Sequence, residues 1–272
     1  MEKFCIYHGN CADGFGAAWV VRKAFGKENV IFYPGAYQQE PPNVTGMEVV
    51  MVDFSYKRPV LLEMAKLAKS ILIIDHHETA QADLIDLPKN VTTIFNMEHS
   101  GAMLTWLHYF PTVEPPQLLK HIEDRDLWQF KYPDTRNIQA ALFSYPYDFE
   151  LWDEFMSSVN NLPQLELEGS AIQRKHFKDI NELIKSQMHL LTVQGHTVPA
   201  LNAPYFYSSD AGHIMCQGFP FALCYWYGRD GMTFSLRSDK DTGINVANIA
   251  KHYGGGGHAN AAGFSVRDMS ML

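Results

Sequence analysis

Three short apolar runs in the first third of the chain end abruptly on acids and imidazoles. Phe4–Tyr7 runs into His8 with Asp13 close behind, Val49–Val52 stops at Asp53, and the aliphatic run Ile71–Ile74 stops at Asp75-His76-His77. Runs this short and this apolar read as strands buried on both faces. The stretches between them have helical texture. One runs over Gly14–Phe25; another follows Pro59, a residue suited to a helix's first position, and carries Leu61, Leu62, Met64, Ala65 and Ala68 on one face. Further strands are expected at Val30–Tyr33 and Thr92–Phe95, and Ser100 is placed to cap a helix carrying Met103, Leu104 and Leu107. Strand–helix alternation predicts an α/β fold, a largely parallel sheet flanked by helices. In such sheets ligands gather beyond the carboxyl ends of the strands, which is where these polar groups fall.

The second half has a different texture. Asp148–Val193 reads as mainly helical, with Ile172, Phe177, Ile180, Ile184, Met188 and Leu191 at helical spacing. Thr197–Leu201, Phe221–Tyr227 and Met232–Arg237 read as strands, with Arg229-Asp230-Gly231 as a turn between the last two. A helix over Val246–Tyr253 precedes four consecutive glycines. The expected organisation is an α/β domain over 1–150, a helical connector over 151–194 and a smaller α/β domain over 195–272, with a cleft between the two domains.

Composition narrows the function. The four cysteines form no C-x-x-C pair, which argues against a zinc knuckle, and a chain with 46% hydrophobic residues needs no disulfide framework. A reducing, cytoplasmic compartment is therefore expected. No apolar run reaches the roughly 18 residues of a membrane span, and the start is too short for a secretory signal, so no membrane partner is expected. The net charge of −8 argues against wrapping a long DNA duplex, yet leaves room for a short anionic substrate in a metal-charged pocket. Neither a phosphate-binding G-x-x-x-x-G-K loop nor a G-x-S-x-G nucleophile is present.

Carboxylates and imidazoles together suit hard or borderline divalent ions such as Mn²⁺ and Mg²⁺. A single Asp at a strand end is ordinarily a turn residue, and a single His a satisfied polar group. Asp75-His76-His77 directly after an aliphatic strand, with His8, Asp13 and Asp53 at matching strand ends, argues for one shared site, because such groups are costly to bury without partners. In the C-terminal part, glycines let backbone N–H groups approach a phosphate closely. Gly255, Gly256, Gly257, His258 and Arg237 are candidates for gripping a substrate phosphate, with Asn260 and Asn245 as weaker ones. Trp128, Tyr205, Phe206 and Tyr207 can stack on bases or simply fill the core.

The segments YHGNCADGFGAA, VDFS, ILIIDHH and IEDRDLWQF, in that order, resemble the four motifs of the DHH phosphoesterase superfamily, and GGGGHANAAG resembles its associated C-terminal domain (DHHA1). The resemblance spans His8 to Gly263. Members include RecJ exonucleases, nano-RNases, cyclic-dinucleotide and pAp phosphatases, exopolyphosphatases and family II pyrophosphatases. The resemblance implies that His8, Asp13, Asp53 and His76 ligate metal, with Asp53 bridging two ions. It implies that His77 contacts the reacting phosphate and that Asp75 orients the neighbouring histidine. Asp124 and Asp126 both match the fourth motif's ligand, and Asp126 is favoured because Phe130 and Pro133 follow it at the family's spacing. One position departs from the pattern: Cys11 stands where relatives have the first Asp of D-x-D. Cys11 can ligate as a thiolate, the first ion can be weakly held, or Cys11 can be a small loop residue.

The resemblance therefore implies two Mn²⁺ or Mg²⁺ ions and hydrolysis by metal-activated water, with the C-terminal domain selecting the phosphate. A short oligonucleotide or a small phosphorylated nucleotide is the expected substrate. Polyphosphate, as for an exopolyphosphatase, is the second enzymatic reading, and a non-catalytic nucleotide-binding module is the reading from another class. A homodimer is left open.

Overall fold

The structure is a computed structural model that describes residues 3–37, 39–157, 162–228 and 231–272. The chain divides into two compact units, Met1–Gln173 and Arg174–Leu272.

The first unit is built on a parallel sheet of β1 (Lys3–His8), β2 (Val30–Gly35), β3 (Glu48–Val52), β4 (Ser70–Asp75) and β5 (Val91–Phe95), in the order β2-β1-β3-β4-β5. The apolar runs are continuous rather than alternating because both faces are covered. Val50, Val52 and Ile74 face a core shared with Phe15, Val20 and Trp106. Val49, Met51, Ile71 and Ile73 face the opposite one, shared with Leu61 and Met64. On the first face lie α1 (Ala12–Phe25) and α4 (Gly101–Tyr109), and on the second α2 (Arg58–Leu67); α3 (Glu78–Asp83) follows β4. The segment from Gln117 to Ser157, mostly without a sequence assignment, forms α5 (Gln117–Asp126), α6 (Thr135–Leu142) and α7 (Phe149–Ser157).

Two features of this sheet place the site. The winding reverses between β1 and β3, so a crevice opens beyond their carboxyl ends. The register is level: Tyr7 lies opposite Val52, and Val52 opposite Ile74. The residues that follow, His8, Asp53 and Asp75, therefore emerge along one edge.

The long helix α8 (Leu162–Gln187) contains the division between the units, which falls inside the segment expected as a connector. The second unit carries a six-stranded sheet of β6 (His189–Val193), β7 (His196–Asn202), β8 (Ala222–Gly228), β9 (Gly231–Arg237), β10 (Gly256–His258) and β11 (Ala261–Val266), in the order β10-β11-β9-β8-β7-β6. Its neighbours are antiparallel except for β7 and β8. Two further helices complete it, α9 (Ser208–Met215) and α10 (Val246–His252). Met188 and Leu191, expected in the helix, lie beyond it. Gln194 and Gly195, at φ 50° and 77°, make a two-residue turn of the kind that suits tight hairpins, and β6 pairs back on β7. Of the expected Arg229-Asp230-Gly231 turn, the first two residues lie outside the described residues. Among the described residues, no helix is long and apolar enough to cross a membrane.

Trp152 on α7 is fully buried, with its ring 4.9 Å from that of Phe15 on α1. Trp152→Ala is expected to cost about 3–5 kcal/mol, read as a lower urea midpoint; an unchanged midpoint would mean that this contact does not hold α7 to the sheet layer.

Candidate metal centre

At the end of β3 the backbone of Asp53 adopts a φ of 53°, a left-handed conformation that Asp tolerates better than most residues and that breaks the strand. The two oxygens of its carboxylate meet different partners. Oδ1 lies 3.1 Å from His76 Nε2, and Oδ2 lies 3.4 Å from His8 Nδ1. His76 Nε2 is also 3.7 Å from Asp13 Oδ2 and 3.5 Å from Asp126 Oδ2. Two donor groups result, His8–Cys11–Asp53 and Asp13–His76–Asp126, each with ligand atoms within 4.8 Å of one another. Asp53, Asp75 and His77 form a third such group.

Backbone amides position the carboxylates. Asp13 Oδ2 accepts from Gly101 N at 2.6 Å and Oδ1 from Ala102 N at 3.0 Å. The carboxylate thus sits on the first turn of α4, where amides have no helical acceptor and negative charge is favoured. Ser100 Oγ caps the same turn, accepting from Met103 N at 3.3 Å. Residue 101 must be glycine for this approach, since a Cβ there would lie 2.4 Å from Asp53 Cβ. Asp75 Oδ1 accepts from His76 N at 2.7 Å and from His77 Nδ1 at 2.6 Å, which orients the His77 ring.

Asp13, Asp53, Asp75 and His76 are at most 2% exposed and form a dry floor. The side chains of His8 and Asp126, each 27% exposed, form a rim. The floor is rich in carboxylate. Burial, with Asp53 and Asp126 close by, raises the Asp13 carboxyl well above its usual range, and burial together with Asp53 raises Asp126, although His76 opposes it. Burial would lower the His76 imidazole, but Asp126, Asp53 and Asp13 lift it to about 10. Asp53 is buried too, yet His76 and His8 keep it ionised, well below the ordinary carboxylate range. Asp53 Oδ2 is buried with no hydrogen-bond partner among the described residues. Converging carboxylates held above their usual range, and a buried Asp53 oxygen faced by His8 Nδ1 at 3.4 Å without a well-formed hydrogen bond, fit a site for divalent cations. His8, Cys11, Asp13, Asp53, His76 and Asp126 are the residues that can hold them.

Of the two acids in the fourth motif, the structure brings Asp126 to this group. Asp124 is turned away, because residues two apart on a helix project to nearly opposite sides. Its carboxylate instead accepts from Lys131 N at 2.7 Å, Tyr132 N at 3.1 Å and Thr135 Oγ1 at 2.6 Å, tying the loop after α5 to the start of α6. Asp124 is thus a loop-binding residue rather than a donor of this group.

The C-terminal candidates have partners within the second unit. Arg237 donates to Ser209 Oγ at 2.7 Å and to Ser235 Oγ at 3.0 Å. Asn260 donates to Ser238 Oγ at 3.0 Å and to Asp239 O at 3.1 Å. Asn245 caps α10 through Ala247 N at 2.9 Å. The glycine run has a packing reason of its own: Gly256 and His258 pair in the β10–β11 hairpin, and a Cβ on Gly255 would lie 2.1 Å from Gly263 O. Gly257, at φ 136°, adopts a backbone conformation that side chains rarely allow. Trp128 stacks under the Arg125 guanidinium at 4.2 Å, while Tyr205 and Phe206 are exposed on the second unit.

Sequence reasoning missed Tyr37 and Gly101. The Tyr37 ring lies 5.4 Å from that of His8 and 6.3 Å from that of His77, at the rim of the floor. No spacing or composition marks this loop residue. Gly101 was readable only as the residue after a helix cap.

No family model matches the chain. It is 32% identical to an uncharacterized protein of Acanthamoeba polyphaga mimivirus over 96% of this chain and 66% of that protein, so it spans about two thirds of the relative's length. It is 24% identical to the oligoribonuclease NrnB of Bacillus subtilis, over 97% of this chain and 73% of that one. Among solved structures, the DHH domain of a member of a family of ribosomal proteins superposes with a TM-score of 0.64 at 15% identity, covering 97% of this chain and 82% of that one. The chain has the DHH fold. Other DHH-fold neighbours are the pGpG-specific phosphodiesterase PggH of Vibrio cholerae, with a TM-score of 0.51 at 16% identity over 98% and 94% of the two chains, and RecJ of Thermus thermophilus in complex with Mn²⁺, with 0.52 at 13% over 97% and 49%. On the DHH fold of this chain, the four sequence motifs lie at the ends of β1, β3 and β4 and on α5.

The protonation of the floor has a consequence for stability. An unfolded His titrates near about 6.5, whereas His76 in the metal-free fold holds its proton to about 10. The stabilisation is fully present below the lower value and is lost as pH rises through the upper one. Urea midpoints of metal-free protein are expected to fall between about pH 6.5 and pH 10, and a saturating divalent cation should remove most of that fall. A flat profile would contradict the charge assignment.

Proposed function

We propose that the protein is a metal-dependent phosphodiesterase acting on short oligonucleotides or small nucleotide phosphates. The observation that carries this reading is the Asp53 carboxylate, whose oxygens face two separate donor groups at the switch point of a parallel sheet. Cations of the Mn²⁺ or Mg²⁺ class would be held by His8, Asp13, Asp53, His76 and Asp126, with Cys11 as a sixth donor. Bound there, they supply positive charge for phosphoryl oxygens and acidify water.

The chain's own residues do the rest. Asp75 fixes His77 through Nδ1, making Nε2 the ring atom that addresses a non-bridging phosphate oxygen. The dry floor keeps its charges effective by excluding water. The rim of His8, Asp126 and Tyr37 is the side from which an anion enters. The likeness to an oligoribonuclease supports a nucleotide substrate, as does the fold shared with a pGpG-specific phosphodiesterase. The Gly255–His258 stretch is assigned to substrate phosphate because glycines let backbone N–H groups approach an anion closely, with Arg237 as a candidate cation beside it in the sequence reading.

Asp53→Ala, assayed with Mn²⁺ on short oligonucleotides and pAp, should lose roughly 100-fold or more in turnover, the scale on which single preorganised electrostatic groups act. Unchanged turnover would end the proposal. Release of mononucleotide identifies the oligonucleotide reaction, whereas orthophosphate released only from polyphosphate would replace it with the exopolyphosphatase reading.

A further inference from the structure

The two donor groups on either side of the Asp53 carboxylate are chemically unequal. Asp13, His76 and Asp126 offer only oxygen and nitrogen, whereas the group of His8 and Asp53 includes the sulfur of Cys11. Cys11 is the N-cap residue of α1, yet its side chain makes no capping hydrogen bond, so the sulfur serves no local backbone purpose. It differs from the other three cysteines, Cys5, Cys216 and Cys224, which are fully buried while Cys11 is partly exposed. A second observation points to a ligand at this place. Asp53 Oδ2 is buried and makes no well-formed hydrogen bond among the described residues, its nearby cationic partner being the His8 imidazole at 3.4 Å, on the side of Cys11.

Sulfur, imidazole and carboxylate together match a borderline or soft divalent ion. Thiolate selects zinc-like cations, imidazole suits borderline ones, and carboxylate suits Mg²⁺ and Mn²⁺, so a set with sulfur leans furthest from Mg²⁺. We propose that Cys11 is a thiolate ligand that makes the His8–Cys11–Asp53 position select a zinc-like cation over Mg²⁺, leaving Asp13–His76–Asp126 as the harder position. On binding, the thiol proton passes to solvent and the sulfur lone pair forms the bond to the cation. The inference rests on the metal-dependent reading given above, and it makes the protein a mixed-metal rather than a uniform two-ion enzyme.

Cobalt tests it without reference to turnover. Metal-free protein loaded with Co²⁺ should show an intense near-ultraviolet sulfur-to-cobalt charge-transfer band. Cys11→Ser and Cys11→Asp should both lack that band while keeping the wild-type circular dichroism. Loss of partners that merely support a ligand costs about 10–100-fold in metal affinity, so removing a direct donor in Cys11→Asp should lower the Zn²⁺-to-Mg²⁺ affinity ratio by at least about tenfold. Zn²⁺ should also protect Cys11 from iodoacetamide, read by mass spectrometry of the labelled peptide. Cobalt bound without the band, or a ratio unchanged in Cys11→Asp, overturns the thiolate assignment and leaves the metal-dependent reading standing. Protein that binds no cobalt overturns both.

Discussion

Mutual repulsion among buried carboxylates governs this structure. Asp13, Asp53, Asp75 and Asp126 converge at one edge of a sheet, three of them almost wholly out of water. Two unit charges about 4 Å apart repel by roughly 4 kcal/mol at a protein-like dielectric, so the arrangement persists only where each charge is answered. The fold answers with backbone amides at Asp13 and Asp75 and with imidazoles at Asp53, while burial and neighbouring charge hold Asp13 and Asp126 above the usual carboxylate range. An arrangement that gathers negative charge in this way fits cations.

The sheet makes convergence possible by geometry alone. Parallel strands in level register end together, and the reversal of winding between β1 and β3 leaves their ends uncovered. Much of this was legible in the sequence. Aliphatic runs closing on His8, Asp53 and Asp75 disclose the strands, and the coincidence of three such polar ends discloses the edge where they meet. The helix after Ser100 was legible from its cap, and the one over Gly14–Phe25 from its helical texture between two strands.

What was not legible depends on partners distant in the chain. The spacing of IEDRDLWQF presents Asp124 and Asp126 alike. Only the direction in which α5 crosses the sheet edge separates them, and the motif resemblance favoured the same residue on other grounds. Met188 and Leu191 continue a helical period by coincidence, and β6 forms instead because Gln194-Gly195 returns the chain onto β7. The four glycines looked like an anion cradle. In the structure, crowding by Gly263 and the unusual backbone of Gly257 account for two of them. Tyr37 reaches the rim from a loop with no periodicity at all.

Asp13 and Cys11 lie on the same turn of chain, yet evolution is not equally free at the two positions. The Asp13 carboxylate has two simultaneous employments, since both oxygens seat the start of α4 while one also faces His76. A histidine or cysteine there would still offer a donor atom, but would leave two amides of that helix unmet. Cys11 has no such tie to a helix start, since its side chain caps nothing and meets the His8 imidazole instead. Position 11 can thus take another side chain without disturbing α4, whereas Asp13 is pinned by the architecture.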